Sequence, residues 1–508
     1  MKNNIKYITL LALGMIACEP EFENPIDESG NYESGEANFS NYVALGNSLT
    51  AGFADGALYI TGQENSYPNI LAQQFKSAGG GEFTQPLMND NAGGALLSGT
   101  QILDNRFVLA FGADGSPKPA IYTGAAPTTE ISNNLGNTFN NMGVPGAKSY
   151  HLVAPGYGNV AGVPAGTANP YFARFASSAT TTVIADAVAQ NATFFSLWIG
   201  NNDVLSYATS GGEGEDHNTT GNLDPATYGS QDITNSNVFA GVYSQLVDAM
   251  LAGGAKGVLL SLPSVTSIPY FTTVPYNPVP MDATTAAGAN LAYAQYNGGL
   301  QQALAALAGT GLLTEEEVAR RTITFVEGQN AVVIEDEDLT DLGAINPAFA
   351  ALPKLRQATA EDLLVLPASS IIGTLADPNT PTSVIGVGVA LEDKWVLTPE
   401  EQTAISTAQS AYNLTIKGIA DAKGLAFYDA AADLEKVATV GIPYDGGVVT
   451  SEFVRGGGFS LDGVHPTPRG HAIIANGIMN ALKSTYNTNL PKVRPGDYGT
   501  VTLSNDVN

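Results

Sequence analysis

The sequence predicts an α/β protein with a three-layer α/β/α arrangement and a roughly five-stranded parallel sheet. Five apolar runs have strand character, helical patterns lie between them, and glycine or polar residues end each run. Alternation of this kind is typical of a parallel sheet with helices on both faces. The five runs begin at Tyr42, Asn137, Thr193, Lys256 and Gly424.

Four segments have the start and stop signals of helices. Proline lies in the first turn of the segment from Tyr67, and Ser236 precedes an apolar stripe that ends in a Gly-Gly pair. Thr398 begins a long amphipathic segment that ends at Gly424, and "PRGHAIIANGIMNALKSTYN" supplies the last helix. Capping residues at one end and glycine at the other are the expected helix boundaries.

Two segments interrupt this alternation. Residues 79–135 are rich in Gly, Asn and Pro, and residues 276–396 mix a helical pattern with long irregular stretches. We interpret both as insertions in one domain at 41–490, the second large enough to be a cap or a subdomain. Residues 491–508 are predicted to be a C-terminal tail.

The N-terminus predicts export. Residues 1–17 contain Lys2 and Lys6 followed by the apolar segment "YITLLALGMIA", and Cys18 is the only cysteine. This pattern resembles a bacterial lipoprotein signal, with an ordinary secretory signal as the alternative. Residues 18–40 are acidic and rich in Gly, Pro and Ser, which predicts a flexible linker. Their acidic start resembles signals that send some lipoproteins to the cell surface.

Composition and charge exclude other classes. A net charge of -27 argues against nucleic acid as a partner, because phosphate binding needs clustered Lys and Arg. We predict no cofactor and no metal site. The acidic run "EDEDLTD" at 335–341 lacks the glycine and terminal glutamate of a hand-type calcium loop, so we interpret it as a solvated acidic turn.

Ser48 follows the first apolar run directly, at the carboxyl end of a predicted strand, where α/β sheets bind ligands. A plain loop serine would fit the local pattern equally well. A nucleophilic serine needs a base that is itself held in place. His465 lies three residues after Asp462, so the carboxylate can accept the Nδ1 proton while Nε2 faces the serine, although a surface Asp/His pair has the same spacing.

The other three histidines, at 151, 217 and 471, have no such partner nearby, and we interpret them as structural or solvent-facing. An oxyanion would need preorganised donors. Gly143 and Asn202 stand at the ends of the next two predicted strands, and the backbone amide of Ser48 is a third candidate donor. Each of these residues alone also fits an ordinary turn.

The order "GNSL", "NMGVPG", "GNND" and "DGVHP" resembles the four sequence blocks of the SGNH hydrolases, also called the GDSL esterase and lipase family. The resemblance covers roughly 41–275 and 397–488. It implies a flavodoxin-like fold with Ser48 as nucleophile, His465 as base and Asp462 as its orienting carboxylate. It also implies an oxyanion hole built by Ser48, Gly143 and Asn202. One departure is Asn47, where the family has aspartate.

The resemblance implies a serine esterase that cleaves carboxylic esters through an acyl-enzyme, without a cofactor. Its ester could belong to a lipid, a short acyl compound or an acetylated glycan. The alternative is a catalytically inactive surface lipoprotein that keeps the fold and binds a ligand. In either case we expect attachment to the bacterial outer membrane only through the N-terminal lipid.

The lipoprotein prediction can be tested at Cys18. We expect the diacylglycerol on this residue, so Cys18→Ser should release soluble protein or leave the precursor unprocessed. Mass spectrometry of the mature N-terminus measures this directly. An unmodified N-terminus at another residue would replace lipid anchoring with ordinary secretion.

Overall fold

The computed structural model describes residues 31–112, 115, 117–504 and 507, and it is a mixed α/β protein. Its central sheet has five strands, all parallel, in the order β2-β1-β3-β4-β5, which confirms the predicted sheet. The strands are β1 (Tyr42–Gly46), β2 (Asn141–Gly143), β3 (Phe194–Trp198), β4 (Lys256–Leu260) and β5 (Ala426–Tyr428).

Strands β1 and β3 are buried along their whole length, which explains their continuous apolar sequences. Val43 pairs with Phe195, and Gly46 pairs with both Trp198 and Gly143. This register brings the carboxyl ends of β1, β2 and β3 to the same edge of the sheet.

Helices pack on the sheet in an arrangement compatible with three layers. Helix α7 packs against α1, β4 and β5, whereas α5 packs against α4, β4 and β5, and α2 packs against β1. These core helices are α1 (Tyr67–Lys76), α2 (Val183–Val188), α3 (Asn202–Thr209), α4 (Ser236–Leu251), α5 (Pro399–Lys423), α6 (Ala430–Thr439) and α7 (Pro468–Tyr486). Shorter helices span Ser48–Ala51, Ile60–Glu64, Pro170–Ala173, His217–Thr220 and Pro269–Thr272.

Helix α5 has the predicted ends. The Thr398 hydroxyl accepts from the amide of Glu401, whose carboxylate accepts from the amide of Thr398 at 2.6 Å, so the two residues form a capping box. Gly424 ends the helix with a φ of 63°. The cap of α4 is Asn235 instead of the predicted Ser236, because the Asn235 side chain accepts from the amide of Asn237.

The second insertion has a hydrophobic core of its own, which makes it a subdomain. Three helices span Ala283–Ala306, Glu315–Arg321 and Leu342–Ile345. Three two-stranded sheets pair Val279–Met281 with Gly328–Asn330, Val333–Glu335 with Leu355–Gln357, and Leu363–Leu364 with Val396–Leu397. The predicted solvated acidic turn is wrong at Asp336, which is fully buried and pairs with Arg356 and Arg320.

The first insertion forms hairpins and binds the C-terminal segment. Its strands pair Ala95–Leu97 with Thr100–Leu103, and Phe107–Phe111 with Pro117–Ile121. The amide of Leu109 donates to the carbonyl of Thr502 at 2.9 Å, and its carbonyl accepts from the amide of Ser504 at 3.2 Å. The predicted tail is therefore part of the fold as far as Ser504. One further hairpin pairs Ile442–Tyr444 with Gly447–Val449.

The folded part of the chain begins before residue 41, inside the predicted linker. Glu33 exchanges backbone hydrogen bonds with Asn489, and Phe39 is buried and stacks on Phe75 with the ring centres 3.9 Å apart. The predicted signal peptide, Cys18 and the rest of the predicted linker lie outside the described residues. Within the described residues, no helix is both long enough and apolar enough to cross a membrane.

Candidate active site

Ser48 lies at the first position of a short helix that begins directly after β1. Asn47 caps this helix, because its Oδ1 accepts from the amide of Leu49 at 3.0 Å. Its Nδ2 donates to Oδ1 of Asn201 at 3.2 Å. Asn47 therefore joins the end of β1 to the turn after β3. This contact needs the N–H donor of the Asn47 side-chain amide.

Ser48, His465 and Asp462 form a continuous hydrogen-bonded chain. The Ser48 Oγ lies 2.8 Å from Nε2 of His465, and Nδ1 of His465 lies 2.8 Å from Oδ2 of Asp462. The ring of Phe53 packs against the imidazole with 4.8 Å between the ring centres. The structure thus brings together the three residues that the sequence singled out, across 417 positions of the chain.

The carboxylate of Asp462 is held by several donors. Its Oδ1 accepts from the amides of Val464 and His465 and from the Ser460 hydroxyl, and its Oδ2 also accepts from the amide of Gly56. Burial alone would raise the pKa of Asp462, but the imidazole of His465 and these hydrogen bonds lower it to about 2. An ionised Asp462 accepts the Nδ1 proton, which leaves Nε2 of His465 as the acceptor that faces Ser48.

Asn202 lies at the start of α3 and lines the same cleft as Ser48 and His465. Its Nδ2 donates to the carbonyl of Ala147 at 2.9 Å, which leaves the second amide proton for another acceptor. The neighbouring Asp203 is fully buried and accepts from the amide and hydroxyl of Ser149 at 2.8 and 2.7 Å. The segment after β2 is therefore held against the start of α3, a role of Asp203 that the sequence analysis missed.

Gly143 does not offer a free amide to this site. Its N–H donates to Oδ1 of Asn141 at 3.0 Å, and a Cβ at this position would overlap the backbone nitrogen of Ala51. The glycine instead lets β2 pack closely on the Ser48–Ala51 helix. The predicted oxyanion role of Gly143 is therefore not supported by this geometry.

Gly146, the second glycine of "NMGVPG", is better placed than Gly143 to offer its amide to this site. It is exposed, has a φ of 79°, and precedes the Ala147 carbonyl that Asn202 contacts. In the described part of the chain its amide has no hydrogen-bond acceptor. The signal was available in "NMGVPG", which has two glycines, but only the strand bounds show that the second one lies beyond the end of β2.

The remaining histidines are structural. His217 is buried, and its Nε2 lies 2.7 Å from Oδ2 of Asp232, so the prediction that it lacks a partner is wrong. His471 is also buried and accepts from the amide of Tyr67; burial and the charge of His465 lower its pKa to about 3. Burial and the charge of Lys148 lower the pKa of His151 to about 4.

An apolar cleft extends from Ser48 to the far edge of the sheet. Its cavity volume is about 110 Å³, below the range of about 300–1,000 Å³ typical of small-molecule sites, and the cleft opens to solvent at its mouth. Its apolar lining residues are Leu49, Trp198, Leu205, Pro263, Val265, Ile268, Ala430, Leu434, Val437, Ile442, Val449, Phe459, Val464, Pro466, Ile473 and Ile474.

No family model, curated protein or solved structure matches this chain.

A second buried carboxylate connects the first insertion to the turn that carries Asp462. Asp55 accepts from the amide of Leu461 at 2.9 Å, from the guanidinium of Arg106 at 2.6 Å and from the Tyr59 hydroxyl at 2.8 Å. Only 3% of each side chain of the Asp55–Arg106 pair is exposed. The ion pair is thus a buried contact between the insertion and the site.

Arg106→Met should destabilise the protein by about 3–5 kcal/mol, because it leaves the Asp55 carboxylate buried without its counter-charge. Urea unfolding measures the loss. The matched control is Arg494→Met, which removes an exposed pair with Asp445 and should cost less than about 1 kcal/mol. Equal losses in the two variants would contradict a special role for the buried pair.

Proposed function

We propose that this protein is a serine esterase of the SGNH type, which hydrolyses carboxylic esters through an acyl-enzyme. The observation that carries the proposal is the chain of two 2.8 Å contacts from Ser48 through His465 to Asp462. A serine, an imidazole and a buried carboxylate in this order form a catalytic-triad arrangement. In it the imidazole takes the serine proton, and the carboxylate orients and stabilises the imidazole.

The position of the triad in the sheet supports the same proposal. The strand order 2-1-3-4-5 is that of flavodoxin-like sheets, in which ligands bind outside the carboxyl ends of the strands where the order reverses, between β1 and β3. Ser48 follows β1 and Asn202 follows β3. The proposed catalytic groups therefore lie at the strand ends where a crevice is expected for this strand order.

The proposed reaction has two steps. Nε2 of His465 takes the proton of Ser48 as Oγ attacks the ester carbonyl, and Asp462 stabilises the resulting imidazolium. The imidazolium then protonates the leaving alcohol as the tetrahedral intermediate collapses to an acyl-enzyme. His465 next takes a proton from water, which attacks the acyl carbonyl, and returns it to Ser48 as the carboxylic acid leaves.

Three donors can stabilise the oxyanion of each tetrahedral intermediate. We assign this role to the amide of Ser48, the amide of Gly146 and the second Nδ2 proton of Asn202. Asp203 and Ala147 act as positioning groups, since their contacts hold the Gly146 segment beside the start of α3. Donors fixed before the reaction are typically worth a factor of about 10²–10³ each in rate.

Ser48→Ala should abolish labelling by a fluorophosphonate probe and lower ester hydrolysis by a factor on the order of 10⁴ or more. The side chain is small and lies at the edge of the sheet, so folding should persist; circular dichroism checks this. Gel fluorescence after labelling and turnover of p-nitrophenyl esters provide the two readouts.

Asn202→Ala serves as the graded control, because it keeps the nucleophile and removes one oxyanion donor. Its kcat should fall about 10²–10³-fold with little change in KM. A surface protein that only binds a ligand would show neither labelling nor turnover in the wild type. That result would favour the inactive binding lipoprotein over the esterase.

The cleft supports esters with an extended apolar acyl chain as substrates. Ser48 follows β1 and Ala430 follows β5, and both line the cleft. Three strand spacings of about 4.8 Å separate β1 from β5, a distance of about 14 Å. This distance is enough for roughly ten methylenes at about 1.3 Å each. An acetylated glycan would instead need a wall rich in polar side chains.

Membrane attachment would place such substrates within reach. We retain the proposal that the protein is exported and attached to the outer membrane through a lipid on Cys18. The thirteen residues from Cys18 to Gly30 span at most about 45 Å when extended, so an anchored domain would stay close to the bilayer.

The chain-length prediction is tested with p-nitrophenyl esters from acetate to palmitate. For the wild type, kcat/KM should rise with chain length, by up to about fourfold for each methylene that becomes buried. Val437→Trp, on the cleft face of α6, should lower kcat/KM for long chains at least about tenfold and spare acetate.

The matched control is Val440→Trp, at the end of the same helix, where 79% of the valine is exposed. It should leave the chain-length profile unchanged. A wild type that prefers acetate, or a Val437→Trp profile identical to that of the control, would rule out the acyl-chain assignment and leave the esterase proposal in place.

A further inference from the structure

Three carboxylates converge where the second insertion returns to the core. Glu337 comes from the acidic run, Asp393 lies just before the strand that leads into α5, and Glu401 lies in the first turn of α5. One oxygen from each lies within 4.8 Å of the other two. None of these residues lines the esterase cleft.

Two of these carboxylates have buried oxygens without partners. Glu401 is only 4% exposed, and whereas its Oε2 accepts from Thr398, its Oε1 has no hydrogen-bond partner. Oδ1 of Asp393 is also buried and unpartnered. Buried polar atoms are almost always paired, and unpaired charges are the most costly of all. Orphaned oxygens in adjacent carboxylates therefore indicate that a positive ligand is needed.

Protein cations do not fill this need. Arg320 pairs with Asp336 and Glu400, and Lys394 pairs with Glu392. Across the described ranges, no lysine, arginine or histidine forms an ion pair with any of the three carboxylates.

We propose that Glu337, Asp393 and Glu401 bind a calcium ion. Calcium takes six to eight oxygen ligands at about 2.3–2.6 Å in flexible geometry, and three carboxylate oxygens that all lie within 4.8 Å of one another can contact one such ion. An all-oxygen ligand set selects a hard cation over zinc or copper. Magnesium demands near-ideal octahedral geometry, keeps several of its waters and is usually bound by one or two carboxylates, so three converging carboxylates favour calcium.

The site would join the subdomain to the helix that begins at Asn202. The Gly211–Gly212 pair follows α3 closely, and a Cβ at Gly212 would overlap Oε1 of Glu401. A Cβ at Gly211 would overlap the carbonyl of Asp393. Calcium would therefore join the insertion to the start of α5, and the segment after α3 packs against this point.

Calcium titration of the metal-stripped full-length mature protein tests the proposal. Isothermal calorimetry should detect one site with a Kd of about 10⁻⁴–10⁻³ M, the range of extracellular calcium modules. Adding 10 mM CaCl₂ to protein in EDTA-free buffer should raise Tm by about 1–3 °C. The same concentration of MgCl₂ should have a clearly smaller effect.

Glu401→Gln and Asp393→Asn should each abolish the calcium heat and the Tm shift. Glutamine can still accept from the Thr398 amide, so the cap of α5 is kept, and Asp393→Asn decides the matter if Glu401→Gln does not fold. Glu400→Gln removes the same charge one residue away and should keep the response. No calcium response in the wild type, an equal response to magnesium, or a response retained in both site variants would overturn the assignment.

Discussion

A largely buried carboxylate, surrounded by five hydrogen-bond donors, determines where the imidazole of His465 can lie. Asp462 accepts from Nδ1 and the amide of His465, the amides of Val464 and Gly56, and the Ser460 hydroxyl. The Gly56 contact joins segments 406 residues apart, the turn that carries His465 and the segment that follows Ser48. The distance between Ser48 and His465 therefore depends on this one carboxylate.

Asp55 forms the reciprocal contact between the same two segments. Its carboxylate accepts from the amide of Leu461, just as Asp462 accepts from the amide of Gly56, so each segment supplies the charged acceptor for the other. Hydrogen bonds to charged groups are worth about 1.5–3 kcal/mol each, and two crossed contacts restrain both translation and rotation of the turn. The guanidinium of Arg106 supplies the counter-charge that offsets the desolvation cost of burying the Asp55 carboxylate.

Much of this arrangement could be predicted because its determinants are local. Strands β1 and β3 are continuous apolar runs, the capping box of α5 is four residues long, and Asp462 and His465 lie on one turn. The Asp232 partner of His217 could not be predicted, because fifteen residues and a change of direction separate the two. Phe39 lies in a segment of acidic composition, and only its packing against Phe75 shows that the segment belongs to the core.

Whether Gly143 or Gly146 is the candidate oxyanion donor depends on where β2 ends. That end is set by its pairing with β1, in which Gly143 lies opposite Gly46, and no local pattern fixes such a register. The separate core of the second insertion could not be predicted for the same reason. The sequence indicated its helix and its acidic run, but the core depends on contacts between distant segments.

The two insertions stabilise the site without shaping its cleft. Of the residues that the structure describes, none from 79–135 or 276–396 lines the cleft. Arg106 of the first insertion pairs with Asp55, and the side chain of Leu366 in the second lies against Gly463, which has a φ of 71° between Asp462 and His465. Variation in the insertions should therefore change how firmly the turn from Asp462 to His465 is held, whereas the acyl-chain preference of the proposed esterase should depend on α6, α7 and the hairpin after α6.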